Sequence, residues 1–140
     1  MTAYFDASVM LRKVLGQGGS LAQWDRVSAV CCSALARLEC ARVLDRARIS
    51  GGWSTDSLLA VGATLDVMFQ TVQEVDISQT VLVRARSPLP VPLSTLDSIH
   101  LSTALLWREQ HPDEPLVFAT HDRALGRAAT MMGLEVIGAD

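Results

Sequence analysis

Four acidic residues from distant parts of the chain occupy positions where a carboxylate could do chemistry: Asp6, Glu39, Asp97 and Asp122. Asp6 and Asp122 each follow a short apolar run that is typical of a buried strand. Asp97 falls at the start of a predicted helix, and Glu39 lies at the edge of the apolar face of another. Converging carboxylates raise one another's pKa unless a cation neutralises them. The pattern therefore favours a hard divalent cofactor, Mg²⁺ or Mn²⁺.

Such an ion suits phosphate chemistry. Mg²⁺ commonly binds through one or two carboxylates, several waters and substrate phosphates. It can orient a water for attack on a phosphodiester and stabilise the charge that develops on the phosphoryl oxygens. The four acids thus predict hydrolysis of a phosphodiester without a nucleophilic side chain.

Each acid also has a purely structural explanation. Asp6 could simply cap the helix that follows it, since aspartate accepts hydrogen bonds from free backbone N–H groups. Ser94 followed three residues later by Asp97 has the spacing of a capping box. Glu39 could form a surface ion pair with Arg42, three residues further along the helix. The residues alone leave both explanations open.

Neighbouring polar residues add to the candidate site. Thr120 is a candidate cap for the helix that follows it, with Asp122 as a favourable first-turn acid. Ser8 either helps to hold substrate or a metal-bound water, or is an ordinary residue of a helix start. His100 could hydrogen-bond Asp97 or reach a substrate, although a lone histidine on an apolar helix is more often a packing residue.

Strands and helices alternate along the chain, which predicts a mostly parallel sheet covered by helices on both faces, an α/β/α sandwich. The carboxyl ends of parallel strands share one edge, where ligands gather. Ser33 is expected to cap a helix that ends near Ser50, and Ser54 or Thr55 to open a helix through Val72. The predicted strands are the run ending at Phe5 and residues 27–32, 72–75, 115–119 and 134–137; the other predicted helices are residues 7–14, 78–86, 94–110 and one ending near 132–133.

Composition narrows the class of protein. The chain has 140 residues, 49% of them hydrophobic, which predicts one compact domain over residues 1–140. Its net charge of −3 argues against a generally basic nucleic-acid binder, so any contact with RNA must be local. Arg42 and Arg46, beside Glu39, are candidates for phosphate contacts or are solvated charges. The three cysteines lack a metal-binding spacing, and the absence of a signal or membrane segment predicts a cytoplasmic protein.

Four segments resemble, in order and spacing, the PIN-domain ribonucleases, and most closely the VapC-type toxins of bacterial toxin–antitoxin pairs. They are Tyr-Phe-Asp6-Ala-Ser, Ser-Ala-Leu-Ala-Arg-Leu-Glu39, Ser-Thr-Leu-Asp97-Ser-Ile-His-Leu and Phe-Ala-Thr120-His-Asp122-Arg. The resemblance spans nearly the whole chain. It implies a PIN-like fold, a Mg²⁺- or Mn²⁺-dependent endoribonuclease with the four acids as its metal site, inhibition by a VapB-like antitoxin, and a homodimer.

Three other functions compete with this interpretation. A structure-specific DNA nuclease could use a related acidic site, but the chain is small and has no added clamp. A doubly wound phosphoacceptor module would also bind Mg²⁺, but it would carry an acidic pair after the first strand and a lysine after the last ones. A PIN-like domain that binds without cleaving RNA is the third.

Overall fold

The structure is a computed structural model, and it describes residues 1–139. Its strands are β1 (Thr2–Phe5), β2 (Ala29–Ser33), β3 (Gln73–Val75), β4 (Leu116–Ala119) and β5 (Glu135–Ile137). Its helices are α1 (Ala7–Val14), α2 (Leu35–Ser50), α3 (Thr55–Gln70), α4 (Gln79–Ala85), α5 (Thr95–Gln110) and α6 (Arg123–Met131), with a short 3₁₀ helix at Trp24–Arg26. The alternation of strands and helices expected from the sequence is confirmed.

The strands of residues 1–139 form one parallel sheet in the order β3-β2-β1-β4-β5. β1 is central, with Tyr4 opposite Cys31 on β2 and opposite Phe118 on β4. The chain crosses from one side of β1 to the other between β3 and β4. This is the kind of position at which open α/β sheets bind ligands, outside the carboxyl ends of the strands.

Two hydrophobic clusters cover the two faces of the sheet. One is built from β1 residues Ala3 and Phe5 with side chains of α1, α2 and α3. The other contains Tyr4 and Phe118 with side chains of α5 and α6. Successive residues of β1 therefore face opposite layers, as the strand geometry requires, and this confirms the predicted three-layer α/β/α architecture.

The ends of the helices follow their caps. Ser54, Ser78 and Ser94 each accept a hydrogen bond from a backbone N–H group of the first helical turn. Gly51 ends α2 in the left-handed conformation, with φ of 71°, which glycine adopts without a Cβ penalty. The predicted role of Ser33 is wrong, because it is the last residue of β2 and α2 begins after Ala34. The Ser33 hydroxyl still accepts a hydrogen bond from Leu35 N.

Three further features concern the cysteines, the connecting segments and the apolar character of the helices. Cys31, Cys32 and Cys40 are free and buried, and burial raises the pKa of each thiol to about 12, so they are unreactive packing residues. Residues 16–19 and 88–94 connect helices and strands without regular structure of their own. Of the helices within residues 1–139, none has the length and apolar character that crossing a bilayer requires.

Candidate active site at the carboxyl edge of the sheet

Asp6 lies at the junction of β1 and α1, where it caps the helix. Its Oδ1 accepts hydrogen bonds from Val9 N at 3.2 Å and from the Ser8 hydroxyl at 2.5 Å. Its Oδ2 accepts a hydrogen bond from the hydroxyl of Thr120, also at 2.5 Å. The capping role predicted for Asp6 is confirmed, but capping uses only one of its two oxygens. The second oxygen is held by a residue that follows β4.

Burial dominates the electrostatics of Asp6. The residue is only 5% exposed, and desolvation raises the pKa of its carboxyl group. The hydroxyls of Ser8 and Thr120 partly offset this, because hydrogen bonds to the charged form favour it. A cation placed beside Asp6 would act in the same direction and favour the carboxylate further.

Thr120 connects Asp6 to the second acid of this edge. Its buried hydroxyl donates to Asp6 and accepts a hydrogen bond from Asp122 N at 3.0 Å. The N-cap of α6 is Asp122, whose Oδ1 accepts from Leu125 N at 2.8 Å. The prediction that Thr120 caps this helix is therefore wrong, since the cap lies two residues later. Thr120 instead joins the first turns of two helices that follow neighbouring strands.

Ser8 completes this connection from the other side. Its hydroxyl donates to Asp6 and accepts a hydrogen bond from His121 N at 3.2 Å. The start of α1 and the turn after β4 are thus tied together by two hydroxyl groups, Ser8 and Thr120. Both act on Asp6, so the orientation of its carboxylate is fixed from two directions.

The Glu39 carboxylate on α2 contacts a histidine of α5. Its Oε2 lies 2.6 Å from His100 Nε2, and its side chain is 22% exposed. The predicted alternative, an ion pair with Arg42, does not occur among residues 1–139, because Arg42 pairs with Asp45 at 3.0 Å. His100 bonds Glu39 on α2 instead of Asp97, its neighbour on α5.

Asp97 lies in the first turn of α5, and Ser94 caps this helix as the capping pattern predicts. Asp97 N donates to the Ser94 hydroxyl at 3.1 Å, and this hydroxyl donates to Asp97 Oδ2 at 2.7 Å. Asp97 precedes His100 by three residues on the same helix, so the two residues share one side of α5. Capping leaves Oδ1 of Asp97 with no hydrogen bond from residues 1–139.

A groove of about 470 Å³ runs between α1 and α2 beside these residues. Ser8, Glu39 and Leu96 line it, together with apolar side chains of both helices. Arg42 and Arg46 form part of its wall. Arg42 shares Asp45 with Arg48, whereas Arg46 is exposed and makes no ion pair within residues 1–139.

The donor set can be compared with what a metal ion requires. In residues 1–139, no three histidine, cysteine or acidic side chains are close enough to form a ready-made cage. The candidate ligands Asp6, Glu39, Asp97 and Asp122 are all carboxylates, which offer only oxygen atoms. Mg²⁺ binds few carboxylates and keeps its waters. The residues fit a hydrated hard cation and do not fit a zinc cage.

Comparison with solved structures finds this fold in several chains, among them chains of two toxin–antitoxin complexes. One match is to the VapBC2 complex of Rickettsia felis bound to a DNA fragment from its promoter, with a TM-score of 0.67 and 10% identity over 97% of each chain. Another is to a toxin–antitoxin complex from Klebsiella pneumoniae, with a TM-score of 0.59 and 17% identity over 87% of each chain. No family model and no curated protein sequence matches the chain.

These likenesses show the fold. They confirm the three-layer α/β/α architecture expected from the sequence.

Tyr4 is a residue of the site to which the sequence analysis assigned no role, although its hydroxyl lies 2.9 Å from His100 Nδ1. It is the only tyrosine of the chain and stands in an otherwise apolar strand, which was the available signal. Its partner, 96 residues away, could not be inferred from any local pattern.

Proposed function

We propose that this protein is an endoribonuclease that requires Mg²⁺ or Mn²⁺ and acts as the toxin of a toxin–antitoxin pair. The observation that carries the proposal is the pair of hydroxyls, from Ser8 and Thr120, that hold a buried Asp6 at the carboxyl edge of the central strand. Burial raises the pKa of this carboxyl group despite its hydrogen bonds, and a cation bound beside it would stabilise the charged form.

The proposed metal ligands are Asp6, Glu39, Asp97 and Asp122. A divalent ion bound among them would supply Lewis-acid stabilisation of the phosphoryl oxygens and a water of lowered pKa. Ser8 and Thr120 keep the Asp6 carboxylate in one orientation, and Ser94 does the same for Asp97. Asp122 is the most exposed of the four acids, so it is the one most easily reached through a water molecule.

The substrate would approach along the groove between α1 and α2. Arg46 lies on the groove wall without an acidic partner in the described part of the chain, so its guanidinium is available to a phosphate oxygen. Arg42 is partly neutralised by Asp45 and is the weaker candidate. Such contacts position RNA without reading its sequence.

Two further parts of the proposal concern partners. Both structural neighbours are toxin–antitoxin complexes, which supports a VapB-like antitoxin as the partner of this chain. We also propose a homodimer and a cytoplasmic location, where the RNA substrate is found. Co-expression with the product of an adjacent small open reading frame, followed by size-exclusion chromatography, tests both the partner and the dimer.

The decisive test is cleavage of total and transfer RNA by purified, antitoxin-free protein in Mg²⁺, in Mn²⁺ and in chelator. Asp6→Asn and Asp97→Asn should abolish metal-dependent cleavage while leaving the circular dichroism spectrum unchanged. Asp113→Asn is the matched control, since Asp113 is exposed in the turn before β4, at the opposite edge of the sheet. Undiminished cleavage by Asp97→Asn would refute the assigned site. Metal binding without cleavage would favour a non-catalytic binding domain.

A further inference from the structure

A row of hydrogen bonds connects the backbone of Ser33, at the end of β2, to the Glu39 side chain. Ser33 N donates to Tyr4 Oη at 3.1 Å, Tyr4 Oη lies 2.9 Å from His100 Nδ1, and His100 Nε2 lies 2.6 Å from Glu39 Oε2. The row begins at the last residue of β2, passes through β1 and α5, and ends on α2. It therefore links four elements, and its central pair, Tyr4 and His100, is 96 residues apart in the sequence.

Counting donors and acceptors fixes the direction of each bond. Ser33 N–H is a donor, so Tyr4 Oη accepts it with one lone pair. Within residues 1–139 the other polar contact of Tyr4 Oη is His100 Nδ1, so the phenol proton has only this nitrogen to bind. Nδ1 therefore accepts, the ring proton lies on Nε2, and Nε2–H donates to Glu39. Each of the three hydrogen bonds of the row then has one donor and one acceptor.

The row is rigid on one side and adjustable on the other. Tyr4 is fully buried, and its ring stacks on Phe118 with centroids 5.2 Å apart and an interplanar angle of 10°. His100 is 1% exposed. Glu39 is partly exposed and makes no other hydrogen bond or ion pair within residues 1–139. The orientation of its three-torsion side chain therefore depends on His100.

The other candidate ligands do not depend on such a row. Asp6 and Asp97 are held by hydroxyls within three residues of themselves or by Thr120, and Asp122 is held by the helix that it caps. Glu39 lies in the middle of a helix, where no capping bond can hold it. Because Arg42 on the same helix pairs with Asp45, the contact that holds the Glu39 carboxylate comes from another element, through His100.

We propose that His100, oriented by Tyr4, is a positioning residue that holds Glu39 in place for metal binding; this inference rests on the proposed function. α5 would then contribute to the metal site twice, through the ligand Asp97 and through His100, which holds the ligand Glu39. β1 would contribute Tyr4, which orients His100, and the ligand Asp6 follows this strand directly. Hydrogen-bond partners of metal-binding side chains typically change metal affinity or activity about 10–100-fold when they are removed.

The first arm of the test uses the metal-free protein. Nitrogen NMR of the histidine rings should show a proton on Nε2 of His100 and none on Nδ1. In His100→Leu, the side-chain carboxyl signal of Glu39 should shift and become averaged, as for a mobile glutamate. A proton on Nδ1 alone, or an unchanged Glu39 signal in the variant, would overturn the proposal whether or not the protein cuts RNA.

The second arm measures Mn²⁺ affinity by calorimetry and RNA cleavage at saturating metal. His100→Leu should weaken Mn²⁺ binding about 10–100-fold. His100→Gln keeps an N–H donor and should lose less Mn²⁺ affinity. Tyr4→Phe keeps the ring stacking, and its Mn²⁺ affinity should lie between those of His100→Leu and the wild type. Thr103→Val is the control, because Thr103 is buried on the same helix and its hydroxyl bonds only Ile99 O among residues 1–139.

The outcomes separate the two proposals. If the wild type neither binds Mn²⁺ nor cuts RNA, the proposed function fails, and the NMR arm still decides the role of His100. If the wild type does both and His100→Leu binds Mn²⁺ as tightly, the positioning role fails while the function stands. Equal losses in His100→Leu and Thr103→Val would also refute positioning, because they would indicate a general effect on the fold.

Discussion

Thr120→Val removes a single hydroxyl from the centre of the candidate site and keeps the β-branched shape of the side chain. The hydroxyl makes two hydrogen bonds, one donated to Asp6 Oδ2 and one accepted from Asp122 N. Thr120 is 0% exposed, so no water replaces the donor that Asp6 loses. We expect the variant to fold and to be measurably less stable.

The expected loss of stability in Thr120→Val follows from its two missing hydrogen bonds. A hydrogen bond to a charged group contributes about 1.5–3 kcal/mol and a neutral one about 0.5–1.5 kcal/mol. Asp122 is exposed, so its N–H group recovers part of its loss from water. The free energy of unfolding should therefore fall by roughly 2–4 kcal/mol. This is a large share of the ~5–15 kcal/mol that stabilises a domain of this size.

Thr103→Val provides the comparison within the same protein. Thr103 is equally buried, but its hydroxyl donates one neutral bond to Ile99 O. Its loss should cost about 1 kcal/mol. Urea unfolding of both variants in chelator, followed by tryptophan fluorescence, gives the two differences directly. If the free energy of unfolding falls no more in Thr120→Val than in Thr103→Val, the hydrogen bond from Thr120 does not hold the Asp6 carboxylate.

Three other outcomes are expected. Arg46→Ala should weaken binding of a non-cleavable RNA and reduce the salt dependence of that binding by about one phosphate contact. Arg42→Ala should have smaller effects, because Asp45 already pairs with Arg42. Equal effects of the two variants in filter-binding assays would contradict this ranking. Chelator should abolish RNA cleavage, and added Mn²⁺ should restore it; activity that survives exhaustive chelation rules out the metal. Hydrogen bonds from Arg84 lower the pKa of Glu109 below its ordinary value, so their contribution is present above the unfolded pKa and is lost as pH falls through the folded one. The stability difference between wild type and Glu109→Gln, roughly 0.2–1 kcal/mol at neutral pH, should therefore vanish in acid, and a difference independent of pH would contradict this.

Local patterns in the sequence predicted most of the fold. Ser54, Ser78 and Ser94 precede their helices with the residue type that caps them, and Gly51 ends α2. Errors of one or two residues occur where two signals overlap. Ser33 has a cap's chemistry, but its backbone pairs with β3, and this sheet contact determines where β2 ends.

The candidate site was predictable as a set of residues and not as a set of contacts. The chemistry of Asp6, Glu39, Asp97 and Asp122 is visible in their types and positions. Their partners depend on the tertiary fold, since Glu39 binds a histidine 61 residues away instead of the arginine one turn along its helix. A helix pattern favours the nearby arginine, but burial of His100 beside Glu39 outweighs that weak surface pair.

The central position of β1 has a consequence for when the protein can act. Its neighbour β4 is synthesised more than 110 residues after β1, and Asp6 and Thr120 are 114 residues apart. A partly synthesised chain therefore cannot close the sheet or complete the bonds to Asp6, because that pairing is the most non-local in the fold. Under the proposed function, a nascent toxin stays inactive until β4 and Thr120 have been synthesised and have left the exit tunnel.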